Sequence, residues 1–283
     1  MQRDSLPYFD FLLDLIARRN NVAISGFGRH VHWGYWPDPR RATGDDADFA
    51  RASERLTAEL CALAGIAPGQ QVLDAGCGFG GTIAYLNEQV AQLELTGLNI
   101  DARQLQRARE LVAPRAGTRV DFCVGDACVL PFADQSFDRV LAVECIFHFP
   151  SRLDFLREVR RVLRPGGTLA LSDFVPAAFY APAVNLVAKS AWFRRLNYFG
   201  HCDVSCTLPH YRKLAAEAGL EVVVERKVTR HIQPTYRYVR ACLNDEQITG
   251  RRLPGASLLI LLLQALGALE VLNYCFLSFR RPD

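Results

Sequence analysis

The run Val72-Leu73-Asp74-Ala75-Gly76-Cys77-Gly78-Phe79-Gly80-Gly81 joins an apolar stretch to a carboxylate and closely spaced glycines. A strand that ends in such a turn and opens a helix lets backbone approach a nucleotide-like ligand closely, because glycine reaches backbone angles other residues avoid and adds no side chain. Taken literally, Gly76, Gly78 and Gly81 also fit the dinucleotide fingerprint. Asp74 opposes that reading, since a carboxylate at the strand end repels a pyrophosphate and suits the ammonium of a methionine moiety. So does Asn99, which stands where a dinucleotide site places an acid and grips vicinal hydroxyls less well than Asp or Glu.

A second constellation is Glu144-Cys145-Ile146-Phe147-His148-Phe149. It puts an imidazole in the loop after an apolar strand, where open α/β sheets bind ligands. An acceptor hydroxyl gains by losing its proton, and histidine is the side chain poised to take it near neutral pH. His148 is therefore the candidate base; the other reading packs it near the methionine end and leaves the acceptor without a base. Asp173, closing Leu171-Ser172-Asp173, is placed either to orient that ring or bind the acceptor, or else to cap a helix or stand in solvent. His201, Cys202, Cys206 and His210 are residue types that ligate zinc, but the Cys-x3-Cys spacing is not one of the compact ligand pairs. They are read as thiols lining an apolar lid, and no metal is expected.

The elements that must position these groups follow from periodicity. Met1 to Arg19 mixes Asp4, Asp10 and Asp14 with apolar residues at helical spacing, which reads as an amphipathic helix and not as a signal peptide. An aromatic stretch, His30-Val31-His32-Trp33-Gly34-Tyr35-Trp36, precedes a helix over 45–64. Strands are then expected over 71–75, 93–99, 119–124, 138–143 and 167–173, with helices over 80–90, 102–112 and 151–163. That alternation means a parallel sheet covered on both faces. Residues 174–218, with Phe179, Tyr180, Trp192, Phe193, Tyr198 and Phe199 among Lys189, Arg194 and Arg195, break the rhythm and read as a helical lid. A β-rich run over 220–230 and a last strand over 272–279 complete the pattern.

Residues 253–279 lie between Arg251-Arg252 and Arg280-Arg281 and approach the apolarity of a membrane span, yet Gln264, Glu270 and Asn273 interrupt them. They are read as a helix over about 255–269, packed over the sheet or the substrate cavity, with peripheral membrane contact the less favoured alternative. The division expected is a helical and aromatic cover over 1–64 and an α/β domain over 65–283. Of the 283 residues half are apolar, and the net charge is only +3 without long basic runs, so nucleic acid is not the expected partner. Nine scattered cysteines suit reduced thiols and a cytoplasmic protein.

Taken in order, these motifs resemble the class I S-adenosylmethionine-dependent methyltransferases over residues 30 to 175. The glycine loop is 71–81, Gly97-Leu98-Asn99-Ile100-Asp101 ends the second strand, Gly125-Asp126-Ala127 with Leu130-Pro131-Phe132 is the adenine side, 138–149 holds the fourth strand, and Leu163-Arg164-Pro165-Gly166-Gly167 precedes the fifth. The resemblance implies a seven-stranded doubly wound Rossmann-like sheet of order 3-2-1-4-5-7-6 with the last strand antiparallel. It implies S-adenosylmethionine as cofactor and S-adenosylhomocysteine as its product. Asp74, Gly76, Cys77 and Gly78 would hold the methionine end, with Glu144 and His148 close by; Asn99, Ile100 and Gln104 would take ribose and adenine, and Asp126 and Ala127 the adenine amino edge. Asn99 departs from the family's usual acid. Residues 32–36 resemble the N-terminal cover of tocopherol, sarcosine and sterol-type enzymes, where Trp33 and Tyr35 would shield the sulfonium, or Trp33 and Trp36 simply pack in the core.

Methyl transfer from a sulfonium is an in-line displacement with a neutral leaving group, so alignment and exclusion of water are the main demands. The apolar lid and tail point to a small hydrophobic metabolite, with O-methylation in natural-product biosynthesis as the leading expectation. N- or C-methylation is the next alternative. A cyclase or isomerase that keeps the cofactor as a structural element is the competing class, because fold does not dictate chemistry.

Overall fold

In the computed structural model the described residues are 6–20, 22–115, 117–188, 190, 199–200, 202–250 and 253–283. The strands are β1 (Gln71–Ala75), β2 (Glu94–Asn99), β3 (Arg119–Val124), β4 (Phe137–Val143), β5 (Leu163–Pro176), β6 (Glu221–Lys227) and β7 (Leu272–Arg280). They form a single sheet of order β3-β2-β1-β4-β5-β7-β6. β1, β2, β3, β4 and β5 pair in parallel, while β7 runs antiparallel to both β5 and β6, as the family resemblance implied.

The sheet is apolar on both faces, so successive residues of one strand enter different cores. Leu73, Val140, Ala142, Leu169 and Leu171 pack with α5 (Arg152–Val162) and with the helix Leu208–Ala218, called α7 below. Val72, Leu95, Leu141 and Ala170 face the other way, onto α2 (Asp46–Ala64), α3 (Gly81–Gln89) and α4 (Ala102–Leu111). Each fully buried leucine or valine contributes about 1.5–3 kcal/mol. The helix starts are fixed locally: the carboxylates of Asp45 and Asp101 and the hydroxyls of Ser151 and Thr207 accept from first-turn amides, each worth about 1 kcal/mol.

Several expectations shift. β5 runs to Pro176, longer than 167–173, because β7 supplies it with antiparallel partners from Thr168 through Pro176. Within 174–218, α6 spans Ala181–Ala188, while α7 buries Tyr211, Leu214, Ala215 and Ala218 in the main core and packs on α5 as a layer helix. Lys189, Trp192, Phe193, Arg194, Arg195, Tyr198 and His201 lie outside the described residues, as do Arg251 and Arg252. A helix with no counterpart in the sequence reading, α8 (Gln233–Asn244), follows β6; a single turn, α9 (Glu246–Thr249), leads to α10 (Pro254–Ala268), the expected apolar helix. At the other end α1 (Pro7–Ala17) buries Phe9, Leu12 and Leu15 and lies against the glycine turn through Phe9 and Phe79.

Candidate active site

The turn after β1 is built by its glycines. Gly76 has φ +84°, and the amides of Gly76 and Cys77 both donate to the Leu98 carbonyl, at 2.8 and 3.0 Å, which draws the turn against β2. A Cβ at Gly76 would lie 2.7 Å from Cβ of Cys145, so no other residue fits without displacing the loop after β4. Beside the turn opens a cleft of about 600 Å³, within the ~300–1,000 Å³ of small-molecule sites. It is lined by Asp74, Gly76, Cys77 and Gly78 at one end and by Asn99, Ile100, Gln104, Asp126 and Ala127 at the other.

Asp74 is the electrostatic peculiarity of this cleft. Both carboxylate oxygens are buried without a hydrogen-bond partner. Burial pushes the carboxyl up to about 7, with the neighbouring Thr82 hydroxyl acting weakly against the shift. A buried, unpartnered carboxylate calls for a cation, and an amino-acid ammonium meets that need. At the far end, Asn99 donates to Oε1 of Gln104 at 3.1 Å and accepts from the Asp101 amide at 3.0 Å, while Ile100 presents an exposed apolar side chain to the cleft. Asp126 accepts from the Cys128 amide at 2.8 Å, which fixes the turn that carries Ala127. Ammonium partner, polar ribose end and apolar platform together fit S-adenosylmethionine.

A second cavity, of about 170 Å³, lies on the other side of a thin wall and is almost wholly apolar. Phe11, Leu12 and Leu15 of α1, Val239 and Leu243 of α8, and Leu259, Ile260 and Leu263 of α10 line it, together with Trp33, Phe147, Phe174 and Phe199. Tyr8, Val31, His32, Glu144 and His148 face both spaces. His148 sits in the 3-10 turn Ile146–His148, with Nε2 3.3 Å from the Tyr8 hydroxyl and Nδ1 3.7 Å from the Cys202 thiol. His32 is held by Nδ1 at 2.9 Å from the Trp33 carbonyl; burial, then the neighbouring His30, drive it down to about 3, so it is neutral.

Glu144 opens the loop in the left-handed region, at φ +51°, a conformation that costs a non-glycine residue and persists only where its surroundings hold it. Here its carboxylate accepts from the Trp33 amide at 3.0 and 3.1 Å and from the Tyr274 hydroxyl, and its own amide donates to Ser172 Oγ at 3.0 Å. Burial pushes it up to about 8, against the pull of Tyr274 and the Trp33 amide.

Not every expected residue arrives at this wall. Asp173 lines neither space: its carboxylate is wholly buried with Arg152 at 3.0 Å, the Tyr211 hydroxyl and the Phe174 amide, a setting that fits a structural role better than contact with an acceptor. The reason is that the end of β5 faces α5 and α7, and Arg152 also reaches Asp203, tying the loop before α7 to the core. Burial alone would lower the Arg152 guanidinium; Asp173, Tyr211 and Asp203 reverse that and keep it protonated. Tyr35 also lines neither space, stacking on His231 at 4.7 Å, and Trp33 faces the apolar cavity instead of the cofactor cleft. Trp36 packs with Phe49 and bonds Asp48. Cys206 is core and His210 exposed, so Cys202 alone of the described thiol and imidazole candidates in that segment reaches the site. Tyr8 and the α8 side chains are contributors the sequence reading missed, whereas α10 was expected over the sheet or the substrate cavity and lines the cavity. Adjacent aromatics in α1 were the available signal for Tyr8.

Comparison with known proteins agrees with this geometry. The family described as Methyltransferase domain matches residues 73–171. The chain is 34% identical over 228 residues to Methyltransferase GfsG of Streptomyces halstedii, covering 78% of this chain and 77% of that protein. It is 33% identical over 216 residues to 27-O-demethylrifamycin SV methyltransferase of Amycolatopsis mediterranei (strain S699), covering 74% and 73%. Among solved structures, geranyl diphosphate C-methyltransferase from Streptomyces coelicolor A3(2) superposes with a TM-score of 0.71 at 19% identity, over 96% of this chain and 98% of that one, a likeness of fold.

Proposed function

Since the chain belongs to the class I S-adenosylmethionine-dependent methyltransferases of small molecules, we propose that it transfers a methyl group to a hydroxyl of an apolar natural-product metabolite. The observation that carries this reading is the shared wall: His148 faces both the cofactor cleft and the apolar cavity. When bound, S-adenosylmethionine supplies a methyl group activated by its sulfonium. Asp74 would hold the ammonium end, Gly76, Cys77 and Gly78 would give their backbone to the methionine portion, and Glu144 would shape the wall beside it. Asn99 and Gln104 would face the ribose, Ile100 would pack on the adenine, and Asp126 with the Ala127 amide would read its amino edge.

The apolar cavity aligns the acceptor and keeps water out, the two contributions that an in-line displacement most needs. Its hydroxyl proton passes to a ring nitrogen of His148, which Tyr8 flanks on the Nε2 side and Cys202 on the Nδ1 side. The relative named for 27-O-demethylrifamycin SV supports oxygen as the acceptor atom. The test is incubation with methyl-labelled S-adenosylmethionine and a panel of apolar polyketide and isoprenoid alcohols, each beside its amine and deoxy analogues. Label on the alcohols together with S-adenosylhomocysteine is expected. Label only on nitrogen or carbon, or cofactor binding with no labelled product, overturns the O-methylation reading.

A further inference from the structure

Helix α10 is apolar on two sides. Leu259, Ile260 and Leu263 form the stripe that lines the acceptor cavity. Leu258, Leu261, Leu262 and Leu269 recur at helical spacing on the opposite side and are open to solvent, Leu269 to 72%. A helix apolar all round is ordinarily buried. Among the described residues, protein packs on one side of this helix only.

A second exposed element lies near the end of α10. The Ala177 amide donates to the Val271 carbonyl at 3.0 Å, and Pro176 pairs with Leu272, so the turn after β5 lies beside the end of α10. That turn exposes Phe179 to 87%, with Tyr180 edge-on to it at 5.2 Å, and α6 behind it exposes Leu186 to 76%. Long apolar side chains clustered in this way mark an interaction surface, whereas single scattered ones do not. The sequence around them is predominantly cationic, with Glu270 beside Leu269 as the exception. No Asp or Glu stands between Asp173 and Asp203, a stretch that carries Lys189, Arg194 and Arg195, and none between Glu246 and Glu270, a stretch that carries Arg251 and Arg252.

We propose that the open face of α10 and the adjoining Phe179-Tyr180 turn rest on the surface of an anionic lipid bilayer. Exposed leucines and aromatics beside predominantly cationic sequence match an interface of acyl chains and negative headgroups. A second copy of the chain fits less well, because a two-fold contact would bring this same cationic sequence against itself. Among the described residues no helix is long and apolar enough to cross a membrane, so the contact is peripheral. The surface is independent of which atom is methylated.

Flotation with vesicles tests it. The full chain is expected to float with phosphatidylcholine vesicles containing phosphatidylglycerol, to float poorly with phosphatidylcholine alone, and to be released in part by salt. The double variant Phe179→Glu, Leu269→Glu, changed only at exposed positions, is expected to stay at the bottom of the gradient with unchanged melting temperature and unchanged S-adenosylhomocysteine affinity. Leu186→Glu serves as a second variant with the same expectation. A wild-type chain that does not float with the anionic vesicles, or variants that float equally well, overturns the proposal. So does light scattering that finds a wild-type dimer which the variants dissociate, since the surface would then belong to a second copy.

Discussion

The Tyr8 hydroxyl stands 3.3 Å from Nε2 of His148, which brings the first helix to the loop after β4 across 140 positions of chain. Tyr8, like His148, lines both the cofactor cleft and the apolar cavity. With His148 as base, His148→Ala is expected to lower kcat by roughly 10²–10⁴-fold and to leave S-adenosylhomocysteine affinity by calorimetry close to wild type. Tyr8→Phe keeps the ring and its packing, so a smaller fall in kcat with a shifted pH–rate profile is expected. Unchanged turnover in His148→Ala would remove the base assignment.

The orphan carboxylate makes a prediction about pH. Asp74 titrates near 3.8 in an unfolded chain and at about 7 in the ligand-free fold, so between these values the folded state holds a proton that the unfolded state has released. Stability must then fall as pH rises through that window, and Glu144, displaced from 4.5 to about 8, adds a loss of the same sign. The melting temperature of the cofactor-free protein is expected to decline from about pH 5 to about pH 8 and to decline less in Asp74→Asn or Glu144→Gln. Cofactor affinity should move the other way, rising with pH as Asp74 ionises to meet an ammonium, and Asp74→Asn should flatten that rise. Calorimetry across the same range reads both slopes.

Asp173 should behave as a structural residue. Asp173→Asn removes the fully buried partner of Arg152 and leaves it the more exposed Asp203, so a cost of up to about 3–5 kcal/mol and a Tm lower by up to roughly 20 °C are expected. Turnover measured well below the new Tm should stay near that of wild type. A large fall in kcat with an unchanged Tm would return Asp173 to the catalytic machinery.

How far the sequence carries depends on how local each determinant is. The glycine turn, Asp74 and His148 are legible because turn chemistry and strand-end position are written within a few residues. The strand order comes from the family resemblance that the ordered motifs carry, since periodicity alone does not fix it. Asp173 is not legible, since its environment is assembled from Arg152, Asp203 and Tyr211, three separate segments that no spacing connects. Tyr35 fails similarly: the ring it stacks on, His231, comes from the far side of the sheet sequence. α8 is legible in principle, since Tyr236, Val239 and Leu243 recur at helical spacing; the sequence reading passes over it between the β-rich run and the apolar tail.

The two spaces can be separated by a single substitution. Leu263 of α10 lines the apolar cavity and not the cofactor cleft, which draws no residue from α8 or α10. Leu263→Trp adds ring volume to a cavity of about 170 Å³ and must displace whatever binds there. The expected result is a rise in acceptor KM and a fall in kcat/KM, with S-adenosylhomocysteine binding unaltered by calorimetry, because only the acceptor contacts are lost. Leu263→Ala should instead admit bulkier alcohols, at a stability cost of about 2–5 kcal/mol if the site does not collapse. A tryptophan variant that loses cofactor affinity and keeps its acceptor KM would show that methyl acceptors bind elsewhere, and that α10 shapes the cleft from behind.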